Sequence, residues 1–354
     1  MSYHCRNPIH CFVPPYVLSR LAATADEPER IRALATLTRD SSIRTARLQN
    51  AKQRARGPRE GADFLATVAP PGPHRVIRDA QHREEVSVGP IVRREGDPAT
   101  GEKQVDEAYD GLGDTYRFFA EVFGRNSIDD EGMPLRGVVH YGREYDNAFW
   151  DGRRMVFGDG DGEFFTRFTR DLDVIGHELG HGVTEDEIGL EYFGQSGALN
   201  ESLSDVWGSL VQQYKQRQSA GEANWLIGDK LVKKAFGGKA LRSMAAPGTA
   251  FDGDPQPAHW RDYVRTVDDN GGVHINSGIP NHAFYVVATT LSGNAWERAG
   301  WIWYQATLDP KLKPTATFRQ FARITLQAAQ RRFGATGGEV DAVRAGWEKV
   351  GITL

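Results

Sequence analysis

The stretch Asp173-Val174-Ile175-Gly176-His177-Glu178-Leu179-Gly180-His181 decides how the rest of the chain is read. In an α-helix, residues four apart share a face, so His177 and His181 can grip one metal ion. Glu178 is turned about 100° from His177 and can reach a water on that metal without being a ligand. Two neutral imidazoles are an incomplete set, since a catalytic zinc ordinarily takes three protein ligands and keeps a fourth position open. Glu201 supplies the third, within Gly197-Ala198-Leu199-Asn200-Glu201-Ser202-Leu203-Ser204-Asp205, a second helical pattern. Asp205 stands one turn further on the same face, where it can accept the remaining N–H of a metal-bound histidine. No third histidine follows closely, and the nineteen residues between His181 and Glu201 suit a site built on two helices.

Outward from this core, Asn147-Ala148-Phe149-Trp150, Asp151-Gly152 and Met155-Val156-Phe157 carry the Asp-Gly signature of a hairpin. From Phe64 to about Phe165 the chain reads as strand-rich, with Val86-Ser87-Val88 and Gly137-Val138-Val139-His140 as strands. One helix interrupts, with Asp106 as N-cap, Tyr109, Leu112, Tyr116 and Phe119 at helical spacing, and Gly124 as its end. After Phe168 apolar periods of helical type run through 171–186, 201–216, 281–291, 299–308 and 317–331. The expected fold class is therefore α+β, with a β-rich lobe over 51–168, a helical lobe over 169–354 and the metal site between them. Residues 1–50 differ in character: an apolar, proline-bearing patch, Phe12-Val13-Pro14-Pro15-Tyr16-Val17-Leu18, precedes a charged helical run through Ile31, Leu34, Leu37 and Ile43. Six basic residues between Arg44 and Arg59 read as a solvated, protease-sensitive linker.

Composition sets the outer bounds. Apolar content of 40% and charged content of 25% are ordinary for a globular protein able to bury a core without staples. A net charge of −4 gives no general attraction for nucleic acid or anionic lipid, and no apolar run is long enough for membrane insertion. The N-terminus lacks the basic-then-apolar pattern of a secretory signal. Both cysteines, Cys5 and Cys11, lie in the first segment, so they carry no information on compartment.

With these motifs in place, the sequence resembles the thermolysin-like zinc peptidases, and within them the short-propeptide, protealysin-like group. The stretches that carry the resemblance are NAFWDGRRMVFGDGDG at 147–162, DVIGHELGHGVTE at 173–185, GALNESLSD at 197–205, LRSM at 241–244 and DNGGVHINSGI at 269–279. The His177, His181, Glu201 ligand set is that of thermolysin itself, so the assignment is recognition as well as derivation. The resemblance implies one catalytic Zn²⁺, peptide and protein substrates, and a bulky apolar residue on the amine side of the scissile bond. It implies Glu178 as general base, Tyr192 and His274 as donors to the oxyanion, and Asp269 as the group that orients His274. Arg242 resembles an arginine that binds a substrate carbonyl, and Asn147 and Ala148 lie on an edge strand that would bind the peptide as an added strand. Pro14, Pro15, Tyr16 and Leu18 resemble the proline-proline motif of short propeptides, implying an intramolecular inhibitor laid in the primed side of the cleft. A thiolate of Cys11 on the zinc is a sharper alternative.

Calcium is expected to be absent: the resemblance implies a carboxylate cluster in the calcium-stabilised members, of which Asp173 and Asp229 remain here while Gln212, Asn224 and Leu226 stand where carboxylates would be expected. The GDGDG run at 158–162 reads as a glycine-rich turn rather than a calcium loop. His74, His82, His140, His259 and His282 show no ligand spacing and are read as structural. Family resemblance favours secretion, with the cytoplasm as the alternative. A zinc aminopeptidase would need an acidic anchor for a free amine, such as Gly-x-Met-Glu-Asn, and none is found. A zinc-stabilised binding protein has no need of Glu178, Tyr192 and His274, and a nucleic-acid factor would rest on the 44–59 run alone.

Overall fold

The computed structural model describes residues 10–54 and 72–354; Cys5, Arg56, Arg59 and Phe64 lie outside them. The described residues open with a short strand β1 (His10–Cys11), then helix α1 (Pro15–Thr24) and helix α2 (Glu27–Arg54). Pro15 takes the first position of α1, where a missing N–H costs nothing. Helix α2 continues past residue 50 into the basic stretch read as linker.

Five further strands complete one sheet: β2 (Val76–Asp79), β3 (Ile91–Arg94), β4 (Arg136–Val139), β5 (Ala148–Trp150) and β6 (Met155–Phe157). Its order is β1-β5-β6-β4-β2-β3, with β4 parallel to both β2 and β6 and the other pairs antiparallel. The β5–β6 hairpin turns at Asp151-Gly152: the Asp151 carboxylate accepts the Arg153 and Arg154 N–H groups at 2.8 Å, and Gly152 takes φ +89°. Val86-Ser87-Val88 is not a strand. Gly89 at φ +96° and Pro90 break the backbone there, and pairing begins only at Ile91.

Helix α3 (Lys103–Phe123) buries Val105, Ala108 and Leu112, and its Phe118 and Phe119 meet Tyr214 and Trp207 of the second lobe. Its N-cap is Glu102, whose carboxylate accepts the Gln104 and Val105 N–H groups, not Asp106. Asp106 sits inside the first turn and holds the loop before it through Thr100 and Gly101 N–H. The helix ends at Gly124, φ +73°, as the sequence suggests.

The second lobe is helical. Helices α4 (Leu172–Glu187) and α5 (Gly194–Gln216) cross at its centre. They meet through glycines: a Cβ on Gly208 would lie 2.4 Å from Asp173 O, and one on Gly176 would lie 2.9 Å from Gly208 Cα. A short ribbon, β7 (Leu226–Ile227) with β8 (Arg242–Ser243), lies beside them. Helices α6 (Asp269–Asn276), α7 (Gly278–Leu291), α8 (Trp301–Thr307), α9 (Phe318–Phe333) and α10 (Gly338–Lys349) follow. α8 grows from a π-helical turn at Trp296–Gly300, and α9 carries a capping box between Thr317 and Gln320. Trp303 stacks on Trp347 with ring centroids 6.0 Å apart, tying α8 to α10 inside a core that continues through α4 and α5. The zinc-motif helix α4 runs directly beneath β5, so the two lobes meet along the groove where the site lies.

Candidate active site

Helical spacing and the glycine crossing of α4 on α5 bring His177, His181 and Glu201 together, all buried. His177 Nδ1 lies 2.8 Å from Asp205 Oδ1 and His181 Nδ1 lies 2.7 Å from Asn200 Oδ1. Both acceptors place the ring proton on Nδ1, leaving an Nε2 lone pair on each ring. These two Nε2 atoms face each other at 3.0 Å, and stand 3.5 and 3.6 Å from the Glu201 carboxylate oxygens. Two facing lone pairs beside a buried carboxylate repel unless a cation lies between them. Donor separations near 3.3 Å are what a tetrahedral ion with bonds of roughly 2.0–2.1 Å requires. The residues therefore fit zinc.

Asp205 is the hub behind the ligands. Besides His177 it accepts Arg242 Nε at 2.9 Å and Nη2 at 2.8 Å, and Asn281 Nδ2 at 2.8 Å. Burial alone would raise its carboxyl, but Arg242 and His177 outweigh burial and hold it well below the usual range. A permanent carboxylate here keeps His177 in one tautomer and orientation.

Across the groove, Glu178 Oε2 accepts the Trp150 backbone N–H at 2.8 Å, which fixes the carboxylate against the edge of β5. The Tyr192 hydroxyl donates to Glu201 and lies 3.2 Å from His274 Nε2. His274 Nδ1 lies 2.6 Å from Asp269, which also accepts the His274 backbone N–H at 2.8 Å. Asn270, Gly271 and Gly272 take φ of +51°, +82° and +73°, a left-handed run that bends the start of α6 and turns His274 inward. Burial pulls the His274 imidazole pKa down, yet Asp269 and Glu201 outweigh it and the net shift is upward. Burial, then Glu201, raises the Tyr192 hydroxyl well above its ordinary value, so it stays a donor.

The groove holds part of the chain's own N-terminal segment. Strand β1 pairs antiparallel with β5, His10 opposite Trp150 and Cys11 opposite Phe149. Phe12 N–H donates to Ala148 O at 3.1 Å, and Phe12 O accepts Arg242 Nη1 at 3.2 Å. Asn147 reads Val13 on both sides, Oδ1 accepting its N–H at 2.8 Å and Nδ2 donating to its carbonyl at 3.2 Å. The Phe12 ring is fully buried, edge-on to His177 at 5.1 Å between centroids, over Gly228. Pro14 and Pro15 do not themselves make these pairings; they turn the chain into α1, whose Val17 and Leu18 are buried while Tyr16 packs against the core. Strand alternation sends Cys11 the other way, among Tyr141, Tyr145, Phe149 and Val156, away from the Phe12–His177 side. That is the wrong face for a thiolate on the metal.

Several contributors had no signal of their own in the sequence. Asn200 is visible only as the neighbour of Glu201, Asn281 sits in an unremarkable helical stretch, and Asp40 looks like any charge on α2. Yet Asp40 is buried, accepting the Tyr145 hydroxyl at 2.6 Å and Asn147 Nδ2 at 2.9 Å.

Residues 75–185 match the family model for the thermolysin metallopeptidase catalytic domain, and residues 188–352 match that for its alpha-helical domain. An extracellular metalloprotease of Pectobacterium carotovorum subsp. carotovorum is 49% identical over 98% of this chain and 98% of its own. A thermolysin of Alicyclobacillus acidocaldarius subsp. acidocaldarius is 39% identical over 72% of this chain and 48% of its own. The structure of a protealysin precursor, a metalloproteinase from Serratia proteamaculans, superimposes with a TM-score of 0.86 at 48% identity, covering 97% of this chain and 100% of that one.

Proposed function

The chain belongs to the thermolysin family of zinc metalloendopeptidases, and on that premise we propose how its own residues divide the work and how its N-terminal segment restrains them. His177, His181 and Glu201 would hold the zinc, which when bound would supply a water whose pKa is lowered to about 7. Glu178 takes the proton of that water and delivers it to the leaving amine. His274 and Tyr192 donate to the oxygen that gains charge, with Asp269 holding His274 in register. Tyr192 must leave Glu201 to do so, a rotation the substrate carbonyl would drive. Arg242 binds a peptide carbonyl, and Asn147 and Ala148 read the backbone of a strand added to β5.

The observation that carries this reading is the path of residues 10–13. Their backbone makes the pairings a substrate strand would make, and Phe12 fills an apolar pocket beside His177. Hence the proposal that a bulky apolar side chain belongs on the amine side of the scissile bond, and that residues 1–50 are a self-inhibiting propeptide ahead of lobes 51–168 and 169–354. Secretion rests on a relative described as an extracellular metalloprotease; no helix among the described residues is long and apolar enough to cross a membrane.

The test is a peptide library cut by the matured enzyme, alongside Phe12→Ala in the full chain. Enrichment of Leu and Phe after the cut, with latent activity rising in the variant, is expected. An unselective profile, or unchanged latency, would overturn the proposal.

A further inference from the structure

Three parallel strands, β2, β4 and β6, end side by side, and beyond their carboxyl ends the chain brings together His82, His140 and Asp159. In sequence these residues are far apart and show no ligand spacing. In space the ligand atoms of all three lie within 4.8 Å of one another. His140 Nδ1 is 3.0 Å from both oxygens of Asp159, and His82 Nδ1 is 3.5 Å from Asp159 Oδ2. The two rings are 5.6 Å apart between centroids.

The backbone is shaped to make this meeting. His82 and His140 both take left-handed φ, +61° and +54°, an uncommon conformation for residues with a Cβ. The His82 N–H donates to His140 O at 2.8 Å, locking the two positions to each other. Asp159 comes from the Gly158-to-Gly162 turn, in which Asp161 does the structural work by accepting the Glu163, Phe164 and Phe165 N–H groups. Asp159 is not needed for that turn and points instead to the two histidines.

We infer that His82, His140 and Asp159 form a second metal site, separate from the catalytic one, for a late first-row divalent ion such as zinc or cobalt. Two imidazoles and one carboxylate are a borderline-soft donor set that suits these ions over calcium or magnesium. The separations of 3.0 and 3.5 Å bracket the roughly 3.3 Å between ligands of a tetrahedral ion. With His140 Nδ1 on the metal, its Nε2 faces the Glu102 carboxylate at 3.5 Å, a longer contact than the 2.8 Å hydrogen bond between Asp205 and His177 at the catalytic site. His82 gives up its contact with Gly142 O, 3.2 Å from Nδ1, to bind. Its ring is 44% exposed, which lets it turn and leaves an entry path for the ion.

The test uses the full chain carrying Glu178→Ala to prevent self-cleavage, stripped with a chelator and titrated with Co²⁺ alone. Bound cobalt is measured after gel filtration and by its visible absorption. Two equivalents are expected, the second at least tenfold weaker in His82→Ala and in Asp159→Asn, with the first unchanged. His82 is 44% exposed, so that variant tests the site with the least effect on the fold. Saturation at one equivalent would overturn the inference. So would a second equivalent indifferent to both substitutions, which would place it elsewhere, for instance at Asp171, Asp173 and Asp229.

Discussion

At the residue scale, the active site is a set of side chains each held in place by a hydrogen-bonded neighbour. Glu178 is fixed by the Trp150 N–H, so replacing its carboxylate while keeping its shape separates chemistry from metal binding. Glu178→Gln is expected to lower kcat by about 10²–10⁴, with one zinc per chain retained by elemental analysis; loss of the zinc instead would make Glu178 a structural residue. His274→Ala is expected to cost about 10²–10³ in kcat with little change in KM. A mainly KM effect would place His274 in ground-state binding. The ligand spacing was legible because a helix enforces it: the sequence alone set His177 and His181 on one face of α4. The partners of those ligands were less legible. Asn200, Asn281 and Asp40 act only because distant elements pack them there, and no local pattern encodes that. For the same reason His82 and His140, read as structural, share a cluster the sequence did not announce.

At the element scale, the α4–α5 crossing and the β1–β5 pairing do most to set behaviour. Gly208→Ala would push a methyl to 2.4 Å from Asp173 O. Prying apart the two ligand-bearing helices is expected to cost about 1–3 kcal/mol of stability and to weaken zinc retention against a chelator. Unchanged stability and zinc retention would mean the crossing has slack. The N-terminal segment is tied to the groove through Asp40, whose carboxylate accepts the Tyr145 hydroxyl and the same Asn147 amide that reads Val13. Asp40→Ala in a separately added propeptide should therefore weaken inhibition of the mature enzyme about 10- to 100-fold, taking 1.5–3 kcal/mol for a lost charged hydrogen bond. An unaltered inhibition constant would remove Asp40 from the account. Elements with a clean period were foreseeable: the Asp151-Gly152 hairpin, α3 with its Gly124 stop, α4, α7 and α9. Those that departed did so for local reasons. Helix α5 begins at Gly194, ahead of the apolar period, and its first turn lies close against Tyr192 and Val273, where Gly197 leaves room that a Cβ would fill. The Val86–Val88 alternation has the look of a strand but no partner to pair with.

At the scale of the whole molecule, stability rests on one large buried core and a smaller one around Tyr141, Tyr145 and Phe149, with ionic ties both inside, as between Arg242 and Asp205, and at the surface. Glu95 hydrogen-bonds Arg75 and its carboxyl is drawn down to about 2. A lowered folded pKa means the tie contributes fully above the unfolded carboxyl range and is lost as pH falls towards 2. Partial exposure keeps the effect small. Glu95→Gln should narrow the gap in Tm to wild type progressively below about pH 4.5; a gap that widened there would reverse the sign. Behind α4, Asp171, Asp173 and Asp229 gather within 4.8 Å, with burial first and then Asp229 pushing Asp171 up to about 6. Lys230 already brings an ammonium there, bonded to Gln212 at 3.0 Å, while its backbone N–H reaches Asp171 at 2.9 Å. With that internal cation, millimolar calcium is expected to leave Tm unchanged; a rise of several degrees would show that the three carboxylates take calcium after all.

The most direct test of the whole account is cleavage of a quenched peptide with a Gly–Leu-type bond by the matured enzyme. Wild type, Glu178→Ala and a chelator-treated sample are compared in parallel. Activity in the wild type, lost in both other samples and restored by zinc only to the chelated one, is the result predicted. A matured wild type that holds zinc stoichiometrically yet cuts nothing would contradict it, and would leave a zinc-stabilised binding protein in its place.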